Sequence, residues 1–376
     1  MRDFLRILPS PSTLRDLTLY VSDEELRSTQ EPEFDFLSED IPSLTHLELL
    51  RFPLTPQMVR LTHIINLTIS RDRLESSTLL DLLSSNPRLV DVKLDFRVTY
   101  SPDDTRGDGE VSLPQVRRFS WFNCNTSDLL QRLTIPRGAD IFLSASPLSD
   151  YRPLTQKLLP RSPQYLQNLS DIQTTQVLNT SLSGLSVAAW GPSGSLRFTV
   201  PHLPRWPLLD GLPAQTVGTF RYTEVAGTDL AVLLTPNVIE EALSALEYLH
   251  TLVLANCSRK TFDLFFTALT DPNLSPTLTT VIIRICEESN TWFDGFVKVL
   301  EVRKVKRVRV IQRSETELTE EEEKMLLKYV EEVEIDSVDD HRALAWFLDW
   351  DKKYEVIKAF PPVRDADDES IYYYGT

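Results

Sequence analysis

Glycine is scarce in this chain of 376 residues, with 11 copies against 24 prolines. Glycine alone enters the left-handed region at no steric cost, so turns with φ > 0 must be few or carried by other residues, while rigid loop breakers abound. Cysteine occurs only three times, which excludes a disulfide-stapled scaffold and points to a reducing compartment, cytoplasmic or nuclear. Sequons such as Asn66-Leu67-Thr68 then read as chance matches. No window reaches the roughly 18 consecutive apolar residues of a membrane span, so no membrane association is expected. Met1–Leu8 is charged and amphipathic, unlike a secretory leader. Positive charge is also in deficit, 39 Lys and Arg against 55 Asp and Glu, leaving a formal charge of −16. Such a chain repels phosphate backbones, and nucleic acid is not an expected partner.

Chemistry-bearing patterns are missing too. His46, His63, His202, His250 and His341 are scattered without metal-ligand spacing, and no phosphate loop, dinucleotide fingerprint or nucleophile elbow occurs. No metal, no cofactor and no catalytic set is expected. An enzymatic site, if there were one, would belong to the irregular stretch 144–216.

What is present is leucine, about 15% of the chain, well above ordinary usage, and it recurs with a fixed spacing. The pattern L-x-x-L-x-L-x-x-N/C is met by Leu249, Leu252, Leu254 and Cys257, by Leu278, Val281, Ile283 and Cys286, and by Val116, Phe119, Trp121 and Cys124. All the cysteines fall in the same closing slot, where a stacked ladder of buried thiols explains them better than zinc. Weaker copies are Leu14/Leu17/Leu19, Leu44/Leu47/Leu49, Ile64/Leu67/Ile69, Leu89/Val92/Leu94, Val217/Phe220/Tyr222, Val305/Val308/Val310 and Val330/Val333/Ile335. Most separations lie between roughly 20 and 32 residues, the range of leucine-rich repeats. The fourth and sixth residues of each unit point inward from a short strand, and only stacking of parallel units buries that face. The expected fold is therefore α/β, a leucine-rich-repeat solenoid with a curved parallel sheet on the concave face and helices on the convex face.

Between the strands lie helical patterns. Ser77–Ser84 carries Leu79, Leu80, Leu82 and Leu83 and ends at Asn86-Pro87. Thr235-Pro236 reads as an N-cap followed by proline in the first turn. Phe262, Phe265, Phe266 and Leu269, and then Trp292, Phe296 and Leu300, sit at helical spacing, as core residues do. Glu317–Glu323 suits a first helical turn, where carboxylates complement the macrodipole. The organisation follows: an N-terminal repeat block 1–143, an irregular insertion 144–216 within the same solenoid, a C-terminal repeat block 217–360 and an acidic, mobile tail 361–376. Within the insertion, Leu185–Ala189 and Leu196–Val200 flank Gly191-Pro192-Ser193-Gly194 as a β-hairpin. Phe4, Leu5, Ile7 and Leu8 precede Leu14 as a helix precedes its strand elsewhere, so a strand is expected upstream of Met1, unless Met1–Leu8 is itself the cap.

The third, fifth and seventh residues of each unit face outward from the sheet, and this is where a binding surface is expected. They are Asp16, Thr18 and Tyr20; His46 and Glu48; Asn66 and Thr68; Asp91, Lys93 and Asp95; Arg118, Ser120 and Phe122. Charge, hydroxyl and aromatic groups mixed in this way suit protein recognition; for any one residue the alternative is an ordinary solvated sheet face. The basic strand Arg303–Val310 places Arg307 and Arg309 opposite Glu332 and Glu334 of the next unit, where mutual neutralisation is expected rather than a phosphate site.

Three stretches, Asn86–Leu94, Leu113–Phe119 and Asp128–Pro136, phrase the approach to a strand as N-P-x-L or L-P-x-L. In this the chain resembles the leucine-rich-repeat region of fungal F-box proteins. The resemblance covers most of the chain. It implies a substrate-recognition module of a ubiquitin ligase, with an F-box docking on the Skp adaptor of a cullin complex. The L-P-x-E-[IL] opening of an F-box does not precede the repeats, so a Skp partner is expected only if an F-box lies upstream. The alternative is a leucine-rich-repeat scaffold or inhibitor with no connection to ubiquitin.

Overall fold

Alternation of period two builds the strands, and their pairing is almost wholly parallel. The computed structural model describes residues 11–21, 41–54, 58–99, 110–124, 129–145, 166–180, 184–200, 209, 212–224, 234–285, 292–312 and 318–337. The helix expected over Met1–Leu8, the closing residue Cys286 and the tail beyond 361 lie outside them. The strands are β1 (Asp16–Tyr20), β2 (His46–Leu50), β3 (Asn66–Glu75), β4 (Asp91–Thr99), β5 (Val111–Ser112), β6 (Arg118–Cys124), β7 (Leu133–Thr134) and β8 (Ala139–Ala145). There follow β9 (Thr174–Thr180), β10 (Gly184–Gly191), β11 (Gly194–Val200), β12 (Thr219–Glu224), β13 (Thr251–Ala255), β14 (Thr280–Arg284), β15 (Arg307–Gln312) and β16 (Glu332–Ser337). Apart from the short pair β5–β7, they form one sheet of 14 strands in the order β1-β2-β3-β4-β6-β8-β11-β10-β9-β12-β13-β14-β15-β16.

That order shows what the stretch 144–216 contributes. Its hairpin, β10 with β11, is antiparallel and sits inside the main sheet. A further strand, β9, pairs antiparallel with β10, so the unit is a three-stranded meander rather than a hairpin in an irregular loop. Because β10 alone is reversed, β11 runs parallel to β8 and β9 parallel to β12. The meander is laid down backwards, its last strand beside β8 and its first beside β12. Its turn requires glycine twice: a Cβ on Gly191 would stand 2.1 Å from the Asp171 carbonyl oxygen, and Gly194, at φ +130, would press one on Ala139.

Among the described residues five α-helices, α1 (Ser76–Ser85), α2 (Pro236–Ala245), α3 (Arg259–Leu269), α4 (Phe293–Val302) and α5 (Glu320–Leu327), accompany the sheet. Their starts follow local chemistry. Thr319 and Glu322 form a reciprocal capping box, and Ser258 accepts from the Thr261 N–H. Thr235 holds the N-cap position of α2, but its hydroxyl makes no capping bond; Pro236, with its fixed φ, defines that start. None of the helices described is long and apolar enough to cross a membrane.

One apolar core runs from Leu17 to Val330. The fourth and sixth residues of the units supply it, from Leu47 and Leu49 to Val308 and Val310, together with Leu79, Leu82 and Leu83 of α1 and Phe262, Phe265 and Phe266 of α3. Polar staples lock one unit to the next. Buried Asn86 accepts from the Ile64 N–H and donates to the Leu61 and Leu82 carbonyls. Buried Arg303 donates to the carbonyls of Leu269, Asp271, Leu274 and Ser275. Burial lowers its pKa, partly offset by Asp271.

Candidate functional site, the outward face of the sheet

Parallel pairing that stays in register over the third to seventh positions of β1 to β6 turns the outward positions into rows that cross the strands. The third-position row runs Asp16, His46, Asn66, Asp91 and Arg118. The fifth-position row runs Thr18, Glu48, Thr68, Lys93 and Ser120. Tyr20, Asp95 and Phe122 stand in the seventh-position row, with Leu50 and Ser70 between Tyr20 and Asp95. The structure thus brings every residue expected of the site onto one face, each exposed or half-buried, with Tyr20 59% exposed.

Most of their polar groups pair along the rows. His46 lies 3.1 Å from Asp16, Thr18 donates to Glu48 at 3.1 Å, and Arg118 bridges to Asp91. Asp95 accepts from Ser70 and from Asn123. Lys93 stands over the Phe122 ring at 5.8 Å, and Phe122 packs against Phe142 of β8 at 5.1 Å. Pairs of this kind stabilise an exposed sheet by a few tenths of a kcal/mol to about 1 kcal/mol each. They also fix the side chains in place before any partner arrives.

From β8 onward the same rows change character. The third-position row continues through Asp140, Ser195, Trp190 and Thr174 into β12, still half-buried. In the fifth-position row Phe142, Arg197, Ala188, Gln176 and Val253 are buried, and so are Ser186, Leu178, Ala255 and Arg284 in the seventh. Aromatic and cationic groups meet here: Arg197 over Phe142 at 5.9 Å and Arg221 over Trp190 at 5.8 Å. Asp140 marks the border, accepting from Ser195; burial raises its pKa, while that hydrogen bond and the Arg118 charge pull it down. Sequence reasoning passed over this half of the face. Arg221 and Arg284 stand at the fifth and seventh positions of units it had placed, so the repeat register could have found them; Phe142, Gln176 and Arg197 lie on strands whose order only the fold reveals.

At the far end the basic strand is neutralised as expected. Arg307 pairs with Glu332 at 2.7 Å, and Arg309 with Glu334 at 3.5 Å and Asp336 at 2.6 Å. Cys124 and Cys257 are buried, as expected of the thiols. Six strand places separate β6 from β13, so these two do not stack on each other, and Cys286, in the unit next to Cys257, lies outside the described residues. Burial pushes Cys124 up to about 12; Cys257 is also raised well above the usual range, by burial first and then by the Glu224 charge. Neither thiol is poised as a nucleophile. Glu224, itself buried, accepts from the Ser258 N–H and the Thr261 hydroxyl at 2.6 Å each, capping α3. Among the described residues, no group of three His, Cys, Asp or Glu is placed to hold a metal ion. Compared with protein-family models and with curated proteins, the chain matches none.

Proposed function

We propose that the chain is a leucine-rich-repeat solenoid acting as a non-catalytic protein-binding module, similar to the substrate-recognition part of an F-box ubiquitin-ligase subunit. The observation that carries the repeat reading is a backbone unit that recurs. The carbonyl of the second residue receives the N–H groups of the second and third residues of the next unit, as Arg15 does from Thr45 and His46. This happens nine times, ending with Lys306 receiving Glu331 and Glu332. Arg51, Asn123 and Asn256, with φ of 57, 56 and 54, all hold the eighth position of their units. Side chains as different as arginine and asparagine adopt a costly conformation there because the repeat demands it.

Binding is the use such a face supports. The rows over β1 to β6 present fixed polar groups around a few aromatic anchors, with accessible side chains on adjacent strands. The test is affinity capture with the wild-type chain, a Lys93→Glu/Arg118→Glu variant and a control, Lys298→Glu, on the exposed side of α4. A partner retained by the control and lost by the double variant supports the reading; partners indifferent to both variants overturn it. Co-purification of a Skp–cullin assembly with the native gene product tests the ubiquitin connection. Its absence leaves a binding solenoid with a scaffold or inhibitor role.

A further inference from the structure

Every interior strand of the 14-stranded sheet is paired along both edges, but β16 closes the order. Glu332, its first residue, donates its N–H to the Lys306 carbonyl on the β15 side. Successive residues of a strand direct their main-chain groups to opposite sides, so the N–H and C=O of Val333 and Ile335 face away from β15. Among the described residues no strand pairs with that side. The core is open at the same end. Val308 and Val310 of β15 keep none of their surface, whereas Val333 and Ile335, level with them in β16, are only partly buried. In α5, which packs on β16, Leu326 is buried, but Met325 and Leu327 are 44% and 50% exposed.

A bulge, a proline or an inward-pointing charge ordinarily guards such an edge. None is found in β16, whose sequence is Glu-Val-Glu-Ile-Asp-Ser and whose register with β15 has no shift. Its guard is charge of one sign, Glu332, Glu334 and Asp336 along the outward side. That charge turns away a second copy. Stacked head to tail, the copy would set its Asp16 opposite Glu332; joined edge to edge, it would set acid against acid, and like charges directly opposite destabilise a pair of strands.

What the edge accepts is visible on its other side. In β15 cationic and apolar residues alternate, Arg307-Val308-Arg309-Val310. Arg307 bridges to one oxygen of Glu332, and Arg309 to one oxygen each of Glu334 and Asp336, while Val308 and Val310 run level with Val333 and Ile335. Three carboxylates thus meet two guanidinium groups, each through a single oxygen. A carboxylate accepts at both of its oxygens, so pairing with β15 does not use up the row.

We propose that the outer edge of β16 is a β-augmentation site for a partner strand in which cationic and apolar residues alternate. Its main chain bonds to Val333 and Ile335, its cations stand against Glu332, Glu334 and Asp336, and its apolar residues extend the core. The site lies ten strand places from β6 and does not depend on the reading of the β1–β6 face.

The probe is a labelled peptide with the sequence of Val305–Gln312, titrated against the full chain by fluorescence anisotropy. It should bind saturably. A permuted peptide of the same composition, its cations grouped and its valines grouped, should bind at least about tenfold more weakly, because only alternation serves both faces of a strand. Equal binding of the two would mean that net charge alone attracts them, and no saturation below about 1 mM would mean no site; either result overturns the proposal. N-methylation of the peptide main chain tests the edge itself. Parallel addition is abolished by methyl groups at the two arginines, antiparallel addition by methyl groups at the valines between and after them; binding that survives both sets is not augmentation. Glu334→Lys/Asp336→Lys should weaken the probe at least about tenfold, and Lys93→Glu/Arg118→Glu should leave it unchanged. The reverse pattern would move the site to the β1–β6 face. Dimerisation of the chain alone, reversed by the peptide, would give the edge to a second copy and sink the proposal as well.

Discussion

The two halves of the outward face share one sheet and one register but treat their side chains in opposite ways. Over β1 to β6 the rows are open, carry Asp16, Glu48, Asp91 and Asp95 against Lys93 and Arg118, and satisfy themselves laterally. Over β8 to β14 the fifth and seventh rows are largely closed, and arginines outnumber carboxylates. Strand geometry is common to both, so geometry does not set the difference; composition and cover do. One sheet can thus hold a solvated, laterally paired surface and a second, buried interior on the same side. The boundary falls at the reversed meander.

The contrast is broken most directly by stability. Leu178→Ala, on an outward row of β9, should cost about 2–5 kcal/mol as a core deletion does, whereas Thr68→Ala on β3 should stay within about 0.5 kcal/mol. Urea midpoints at constant slope decide between them. If both substitutions prove equally mild, the second half of the face is not an interior.

The inward rows were legible in the sequence because Leu44/Leu47/Leu49 and most of their counterparts alternate with polar residues, and that period belongs to the strand alone. The helices over Ser76–Ser85 and Arg259–Leu269 were legible for the same kind of reason. The strand β9 was not: Thr174, Thr175 and Gln176 show no alternation of polarity. In β8 the outward residue Phe142 lies between inward Ile141 and Leu143, which erases the period altogether. The reversed order of the meander depends on pairing between distant segments, which no local pattern encodes. The outward set over β1 to β6 followed from the register once the repeats were placed. The register also places Arg284 outward, but does not give its burial, because cover depends on what lies across a strand and not on the strand itself.

Smaller effects test how each half is held to its neighbours. In the first, a neutral amide does this work: Asn86→Ala would strand the Ile64 N–H and two carbonyls, costing about 1–3 kcal/mol. In the second, a buried carboxylate caps α3, and Glu224→Gln should cost less, about 1 kcal/mol, because the amide still accepts through one oxygen. A larger loss for Glu224→Gln than for Asn86→Ala would show that its charge at the helix terminus, rather than its hydrogen bonds, secures the second half. Smaller again is the Arg307–Glu332 pair, whose partners are about half exposed. A double-mutant cycle should return about 0.2–1 kcal/mol, shrinking as salt rises.

The finest test sits on the border itself. Asp140 stands beside Arg118 of the open half and Ser195 of the meander, and burial raises its pKa above the ordinary 3.8. The folded chain therefore keeps this proton to a higher pH than the unfolded chain does. Its contribution to stability is complete below the unfolded value and is lost as pH rises through the folded one. Asp140→Asn removes the titration. Unfolding free energies measured in steps from about pH 3.5 upward should then show the wild type losing ground to the variant as pH rises. A difference moving the other way would mean that Arg118 and Ser195 outweigh burial, and that the border belongs electrostatically to the open half of the face.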